Sequence, residues 1–266
     1  MYKQFSVFSD GIVVDWSGVS ELDGGRAEYC HDKYEIICFL GGSGRCIVEG
    51  KEYTLSSGSI LLLKPLVYHC VILPEGEAVE FVSVKFDDSA ISSSSSKILL
   101  GIFEKQDESF KFYSPKLVGE PLYSVFERLE YSSGMSDEQK GEYLRALISE
   151  AIVFLSGINV EGSGLCNDEL GARVVRYLNI NIENNISLDK LAKRFFVSKY
   201  YLCRTFKKYS GTSIHSYMNH KRIMYAKQLI ESGESASQAA YRVGFRDYSA
   251  FYRAYVKIVG KSPTSN

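Results

Sequence analysis

The spacing of hydrophobic and polar positions changes twice along the chain, and each change marks a different kind of structure. Between residues 5 and 87, short runs rich in β-branched and aromatic side chains alternate with Gly, Asp and Ser. The runs at 34–40, 45–48, 60–63, 68–73 and 80–86 predict strands, because a pleated backbone favours such side chains. Gly41-Gly42-Ser43-Gly44 and Glu49-Gly50-Lys51 carry turn chemistry. Many short strands with no helical period between them predict a sandwich or barrel. The serine run at 92–96 reads as an exposed loop. Beyond it the period becomes helical at 120–131 and 137–154, where Tyr143, Leu144, Leu147, Ile148, Ala151, Phe154 and Leu155 form an apolar stripe. Residues 157–167, rich in glycine and poor in large side chains, read as an interdomain linker. From 168 onward the pattern is helical.

The last hundred residues contain a repeat at an offset of 49 positions. Leu202, Arg204, Phe206, Lys208, Gly211 and Ser213 fall on Phe251, Arg253, Tyr255, Lys257, Gly260 and Ser262. A short helix precedes each copy, at 188–195 and 236–243, with Ser187 and Ser235 placed to cap free backbone N–H groups. Helical spacing puts Leu202, Thr205, Phe206 and Tyr209 on one inward face and Tyr200, Cys203, Arg204 and Lys207 on another. In the second copy Phe251, Ala254, Tyr255 and Ile258 face inward, and Ser249, Tyr252, Arg253 and Val256 face out. A short helix, a tight turn and a second helix exposing arginine and aromatics is the geometry that reads a DNA major groove.

Charge strengthens that reading. The formal net charge is −1, yet residues 1–165 carry 14 Lys and Arg against 25 Asp and Glu, while residues 166–266 carry 17 against 7. A basic C-terminal half fits a polyanionic partner. The 45% hydrophobic and 24% charged content is that of a soluble globular protein, and no apolar run of 18 residues exists to span a membrane. The first residues lack the apolar stretch of a secretory signal. The six cysteines form no CxxC pair, so reduced thiols and a cytoplasmic location are expected.

Residues 187–263 resemble the DNA-binding region of the AraC/XylS family of transcription regulators. The resemblance rests on Leu191-Ala192, Ser198-x-x-Tyr201-Leu202-x-Arg204-x-Phe206-Lys207-Lys208, Gly211, Tyr217 and Arg222-x-x-x-Ala226-x-x-Leu229-Ile230. It continues through Ala240-x-x-Val243-Gly244-Phe245-x-Asp247, Phe251-x-Arg253 and Gly260-x-Ser262-Pro263. It implies seven helices, with a long one at 214–231 joining two helix-turn-helix units whose recognition helices enter major-groove segments about 34 Å apart. Carried over by position, the base-reading candidates are Tyr200, Cys203, Arg204, Tyr248, Ser249 and Arg253, with Arg246 beside them. Lys199, Lys207, Lys208 and Lys257 suit phosphate. The sequence departs from the pattern at Phe196, a turn position where glycine or a small polar residue is common, and at Ala250 in place of a larger side chain.

The N-terminal half more loosely resembles the sensory cupin domain of the same family, through His31-Asp32-Lys33-Tyr34-Glu35, Gly41–Gly44 and the stretch from Gly58 through Pro65 to His69. Alternation along a strand would turn His31, Lys33, Glu35, Ile37 and Phe39 into the barrel, joined by Val67, His69 and Val71, with Tyr68 pointing away. Two His and one Glu are the donor types of a metal site with open positions. Tyr29 stands where a fuller cupin motif has a further His, so a hydrogen-bonded His and Glu in an effector pocket is the favoured reading and no metal or other cofactor is expected. Trp16, the single tryptophan, joins His31, Glu35 and His69 as an effector-binding candidate. For the stripe at 137–154 two uses stay open: closing the barrel's open side, or the homodimer contact that the resemblance suggests, which is slightly favoured.

The expected architecture is α+β and multidomain: a cupin-like sensory barrel over 1–90, a helical segment over 91–156 with dimerisation among its open uses, a linker over 157–167, and an all-α double helix-turn-helix domain over 168–266. The expected function is that of a non-enzymatic, effector-controlled transcription regulator acting on double-stranded promoter DNA, with RNA polymerase as partner for activation. A metal-dependent cupin enzyme with an appended DNA-binding domain and an effector-independent regulator are the alternatives.

Overall fold

The computed structural model describes residues 4–9, 11–19, 26–49, 51–74, 76–103, 110–159, 170–184 and 186–264. Among the described residues, ten strands form two antiparallel sheets. One sheet has the order β1 (Gln4–Ser9), β2 (Ile12–Val19), β9 (Val79–Phe86), β4 (Tyr34–Gly41), β7 (Ile60–Leu63), β10 (Phe110–Tyr113). The other has the order β3 (Arg26–Tyr29), β8 (His69–Ile72), β5 (Ser43–Val48), β6 (Lys51–Ser56). The expected barrel is therefore a cupin-like pair of facing sheets rather than one closed sheet.

Period-2 alternation decides what each face covers. Between the sheets lie Ile37 and Phe39 of β4, Cys46 and Val48 of β5, Leu61 and Leu63 of β7, and Val67 and Val71. The opposite face of the six-stranded sheet presents Val14, Trp16, Ile36, Cys38, Leu62, Val82 and Val84 to the helices that follow. These are α1 (Ser93–Ile102), α2 (Glu120–Arg128) and α3 (Asp137–Ser156), with a 3₁₀ segment at Leu129–Gly134.

Three expectations change here. The serine run is the start of a helix, not a loop: the Ser92 side chain accepts from Ser95 N at 3.1 Å, and burial of Leu99 holds the helix on the sheet. Serine is a poor mid-helix residue and a good cap, so burial overrides composition. Strand β10, within the segment expected to be helical, pairs with β7 and closes that edge. The α3 stripe is used within the chain, since Leu144, Leu147, Ile148, Ala151, Ile152 and Leu155 are all buried in the sheet–helix core. Of its large apolar side chains, Val153 and Phe154 remain exposed, away from that core.

The C-terminal region contains six α-helices among the described residues, where the resemblance implied seven. They are α4 (Leu170–Ile180), α5 (Leu188–Arg194), α6 (Lys199–Ser210), α7 (Ile214–Glu231), α8 (Ala236–Arg242) and α9 (Tyr248–Val259). Their core holds Leu202, Phe206, Tyr217, Ile223, Phe251 and Tyr255. Each fully buried aromatic or aliphatic side chain contributes about 1.5–3 kcal/mol. Gly171 permits the close crossing of α4 on α6, because a Cβ there would stand 2.5 Å from Cβ of Tyr209. Of the expected linker, residues 160–167 lie outside the described residues, Cys166 among them.

The two regions share a core. Cys30, Ile47, Tyr68 and Cys70, from the outer face of the four-stranded sheet, pack with the helical residues. No helix among the described residues is long and apolar enough to cross a membrane.

Candidate nucleic-acid interface and sensor site

Each helix-turn-helix unit is assembled by local chemistry. Ser187 caps α5 by accepting from Lys190 N at 3.2 Å, and Ser198 caps α6 by accepting from Tyr201 N at 3.2 Å. Ser235 and Gln238 form a reciprocal capping box on α8. Asp247 caps α9, its two carboxylate oxygens accepting from Ser249 N at 3.1 Å and Ala250 N at 3.0 Å. Both second helices end on left-handed glycines, Gly211 and Gly260. The turns within the units also need a left-handed residue: Gly244 at φ 89° in the second, but Phe196 at φ 55° in the first. Phe196 is 94% exposed, so nothing it packs against offsets the backbone strain.

The predicted faces separate as expected, with two adjustments. Leu202, Phe206, Tyr209, Phe251 and Tyr255 are buried, while Arg204 and Arg253 are exposed. Tyr200, Ser249, Tyr248, Arg246, Lys207, Lys208 and Lys257 are also exposed. Cys203 is half-buried and packs against the helical core, so it reaches outward least of the base-reading candidates. Val256, expected outside, is likewise half-buried. Lys199 ion-pairs with Asp189 at 2.8 Å, and a hydrogen bond from Lys199 holds the Asp189 carboxyl below its usual range. A phosphate at this position would compete with Asp189 for the ammonium.

Two grooves add residues that the repeat did not single out. Arg173, Arg176, Lys190, Lys193 and Arg194 line a groove of about 770 Å³ beside the first unit, with Tyr177, Phe195 and Phe196 in its wall. Arg194 lies over the Tyr177 ring at 4.4 Å. The signal was present in the sequence as cations at i, i+3 on α4 and i, i+3, i+4 on α5. A second groove of about 450 Å³ brings Arg246 and Arg253 together with His215, Asn219 and Arg222. Arg222 is a structural clamp, donating from Nε to Ile182 O at 2.9 Å and from Nη2 to Asn184 O at 2.7 Å. Desolvation lowers its pKa.

In the sensor domain, His31, Glu35 and His69 converge. Both imidazole Nε2 atoms stand 2.9 Å from Oε2 of Glu35. His69 and Glu35 are buried, whereas His31 sits at the rim and precedes β4. Burial favours the neutral Glu35 carboxyl, but the imidazoles of His69 and His31 outweigh it and hold its pKa well below the usual carboxylate range. The other oxygen, Oε1, accepts from Ser83 Oγ at 2.5 Å and lies 3.7 Å from Lys85 Nζ. Lys33, expected in the interior, instead donates to Gly11 O at 3.0 Å and pairs with Asp87 at 2.5 Å.

Trp16 does not join this cluster. It lies on the opposite face of the six-stranded sheet, donating from Nε1 to Glu80 at 2.9 Å. There it lines a separate cleft of about 370 Å³ with Tyr123, Glu127 and Arg128. Period-2 alternation separates the two places, since β2 and β4 turn Trp16 and Glu35 to opposite faces.

Between the domains, Glu49, held at φ 45° in the β5–β6 turn, accepts from Tyr68 N at 2.8 Å and pairs with Lys221 of α7 at 2.6 Å. Asn179 of α4 donates to the same carboxylate and accepts from Tyr217 Oη at 2.6 Å. His220 bonds Cys30 O at 2.9 Å, and Lys227 pairs with Asp32. Residues 30 and 32, flanking His31, are thus both attached to α7. None of these contacts was readable from local spacing.

Comparison with known proteins agrees with both halves. Residues 23–150 match the model of the AraC-like ligand binding domain, and residues 191–265 match a helix-turn-helix domain model. The chain is 24% identical over 226 residues to the transcriptional activator RhaS of Mannheimia succiniciproducens, covering 84% of this chain and 82% of the relative. It is 23% identical over 274 residues to the Msm operon regulatory protein of Streptococcus mutans, covering 99% and 95%. Among solved structures, an apo ToxT variant from Vibrio cholerae aligns over 96% of each chain with 15% identity and a TM-score of 0.45. With a ligand-binding domain followed by a double helix-turn-helix domain, the chain belongs to the AraC/XylS family of DNA-binding transcription regulators.

Proposed function

We propose that the protein reads promoter DNA with α6 and α9, and that occupancy of the sensor domain near His31, Glu35 and His69 sets how the two units are presented. The observation that carries this reading is the pair of repeated helices exposing Arg204 and Arg253 at equivalent positions. Guanidinium matches the two acceptors of guanine in the major groove. Arg204 with Tyr200 reads bases from the first unit, and Arg253 with Tyr248 and Ser249 from the second. Lys199, Lys207, Lys208 and Lys257, with the cations lining the α4–α5 groove, neutralise phosphate.

Effector control follows from the attachments of α7. A ligand that moves the 30–33 segment changes the seat of Lys227 and His220, and so shifts the balance between arrangements that it binds unequally. The relatives named as activators favour activation, with RNA polymerase as partner, in the cytoplasm. A homodimer would use the exposed Val153 and Phe154 edge of α3. The chain acts as a regulator, not an enzyme.

The test is fluorescence anisotropy on genomic fragments selected by the purified full chain. Tight, salt-dependent binding that is lost in the Arg204→Ala and Arg253→Ala double variant supports the reading. Binding unchanged by the double substitution rejects it.

A further inference from the structure

The groove between α4 and α5 joins five cations to three aromatic rings, and no carboxylate stands among its described lining residues. Arg173 and Arg176 come from α4, and Lys190, Lys193 and Arg194 from α5. Like charges gathered in one cleft repel each other and raise the local concentration of anions. Two of the guanidinium groups are seated on rings. Arg194 lies over the Tyr177 ring at 4.4 Å, and Arg173 over the Phe195 ring at 5.6 Å. The two rings meet edge to face at 5.9 Å, so both cations rest on one aromatic wall. Stacking fixes the plane of a guanidinium and leaves its N–H edge to fork onto phosphate oxygens.

The third ring is placed differently. Phe196 is 94% exposed and held at φ 55°, in the left-handed region that favours glycine. The second unit has Gly244 in the corresponding turn. An exposed aromatic kept in a strained position adds nothing to the core, and such outliers cluster where a ligand is held. Its ring face is open to stack on another planar ring.

These features together select the occupant. A duplex supplies phosphates but keeps its bases stacked inside, which leaves Phe196 without a partner. An acidic peptide supplies single carboxylate charges and no obligatory ring. A nucleotide with two or more linked phosphates supplies a flat base for Phe196 and a dense anionic tail for the cations. A groove of about 770 Å³ has the usual size of a small-molecule site.

We propose that this groove binds a free nucleoside polyphosphate, its base stacked on Phe196 and its phosphates held by Arg173, Arg176, Lys190, Lys193 and Arg194. The bound nucleotide occupies cations that otherwise meet DNA phosphate, so it weakens promoter binding. By linkage the promoter weakens nucleotide binding by the same factor. That competition rests on the reading of these cations as phosphate contacts; the binding of nucleotide does not.

The experiment follows the anisotropy of ribose-labelled fluorescent ATP titrated with the full chain, without DNA, at about 0.15 M salt. Saturable binding is expected, displaced by ATP, displaced at least about 5-fold less well by tripolyphosphate, and not displaced by adenosine. Phe196→Gly should lower the affinity about 5–100-fold through lost stacking. Arg173→Ala with Lys190→Ala should lower it by more than about 10-fold. All three positions are exposed, and circular dichroism checks that the variants fold.

Absence of saturable binding overturns the proposal, as does binding that the folded groove variants retain. Equal displacement by tripolyphosphate and ATP reduces the groove to an anion site and rejects the nucleotide. Displacement by a polyglutamate peptide as effective as that by ATP assigns the groove to an acidic partner and rejects it likewise. Promoter affinity unmoved by saturating ATP rejects the competition. The Arg204→Ala and Arg253→Ala double variant should bind labelled ATP as the wild type does. Promoter binding without ATP binding defeats the groove site alone, and ATP binding without promoter binding defeats the DNA reading alone.

Discussion

Lys221, buried near the middle of the helix that joins the two DNA-reading units, pairs at 2.6 Å with Glu49 in a turn of the sensor domain. The two residues are 172 positions apart. Glu49 also accepts from Tyr68 N and Asn179, so one carboxylate ties a strand, a turn and two helices together. Removing one member of a buried pair strands the other charge and costs about 3 kcal/mol or more. In urea unfolding of Lys221→Met, Glu49→Gln and the double variant, the single losses should exceed the double loss by about 1–3 kcal/mol of coupling. Simple additivity would show that the pair does not hold the domains together.

Phe196 and Gly244 occupy the same left-handed turn in the two units, and only one of them suits it. Phe196→Gly should therefore stabilise the chain by about 0.5–1 kcal/mol, the relief of strain outweighing the greater entropy of glycine in the unfolded state. The reciprocal Gly244→Ala should destabilise by about 1–3 kcal/mol, because its Cβ would also meet Glu183 O at 2.7 Å. Thermal unfolding checks both, and opposite signs to these would remove the strain argument.

Arg204 and Lys207 share an exposed face of α6 yet have different chemistry. Arg204→Ala should cost about 1–3 kcal/mol at the specific site and relax one base preference. Lys207→Ala should weaken binding alike on all sequences and lower the salt slope by about 1. Competition binding across a salt series separates them. A sequence-independent loss from Arg204→Ala would move that residue to the phosphate group.

Thiol reactivity offers a footprint that needs no substitution. Cys38 is buried in the sheet–helix core, and desolvation pushes its pKa well up. The thiolate is the reactive form, so iodoacetamide at about pH 8 should leave Cys38 unmodified until the chain unfolds. Cys203, half-buried on α6, should react in the folded chain and become protected by operator DNA. Peptide mapping by mass spectrometry reads both sites. Equal labelling of Cys203 with and without DNA would place α6 away from the groove.

The sequence alone determined whatever depends on neighbours within one element. Alternation marked β4, β5, β7, β8 and β9, serine caps marked the starts of α5 and α8, and helical spacing marked α6 and α9 and the burial of Phe206 and Phe251. The strained turn at Phe196 was also visible, because a left-handed position is demanded locally by the motif. Only the tertiary structure decided relations between elements. It separated Trp16 from the His31 cluster by the thickness of a sheet, buried the α3 stripe within its own chain, made a helix of the serine run and set Lys221 on Glu49. The physical reason is range: a cap or an amphipathic face is specified by residues a few positions apart, whereas the partner of a buried charge or a sheet face is chosen by how the whole chain packs.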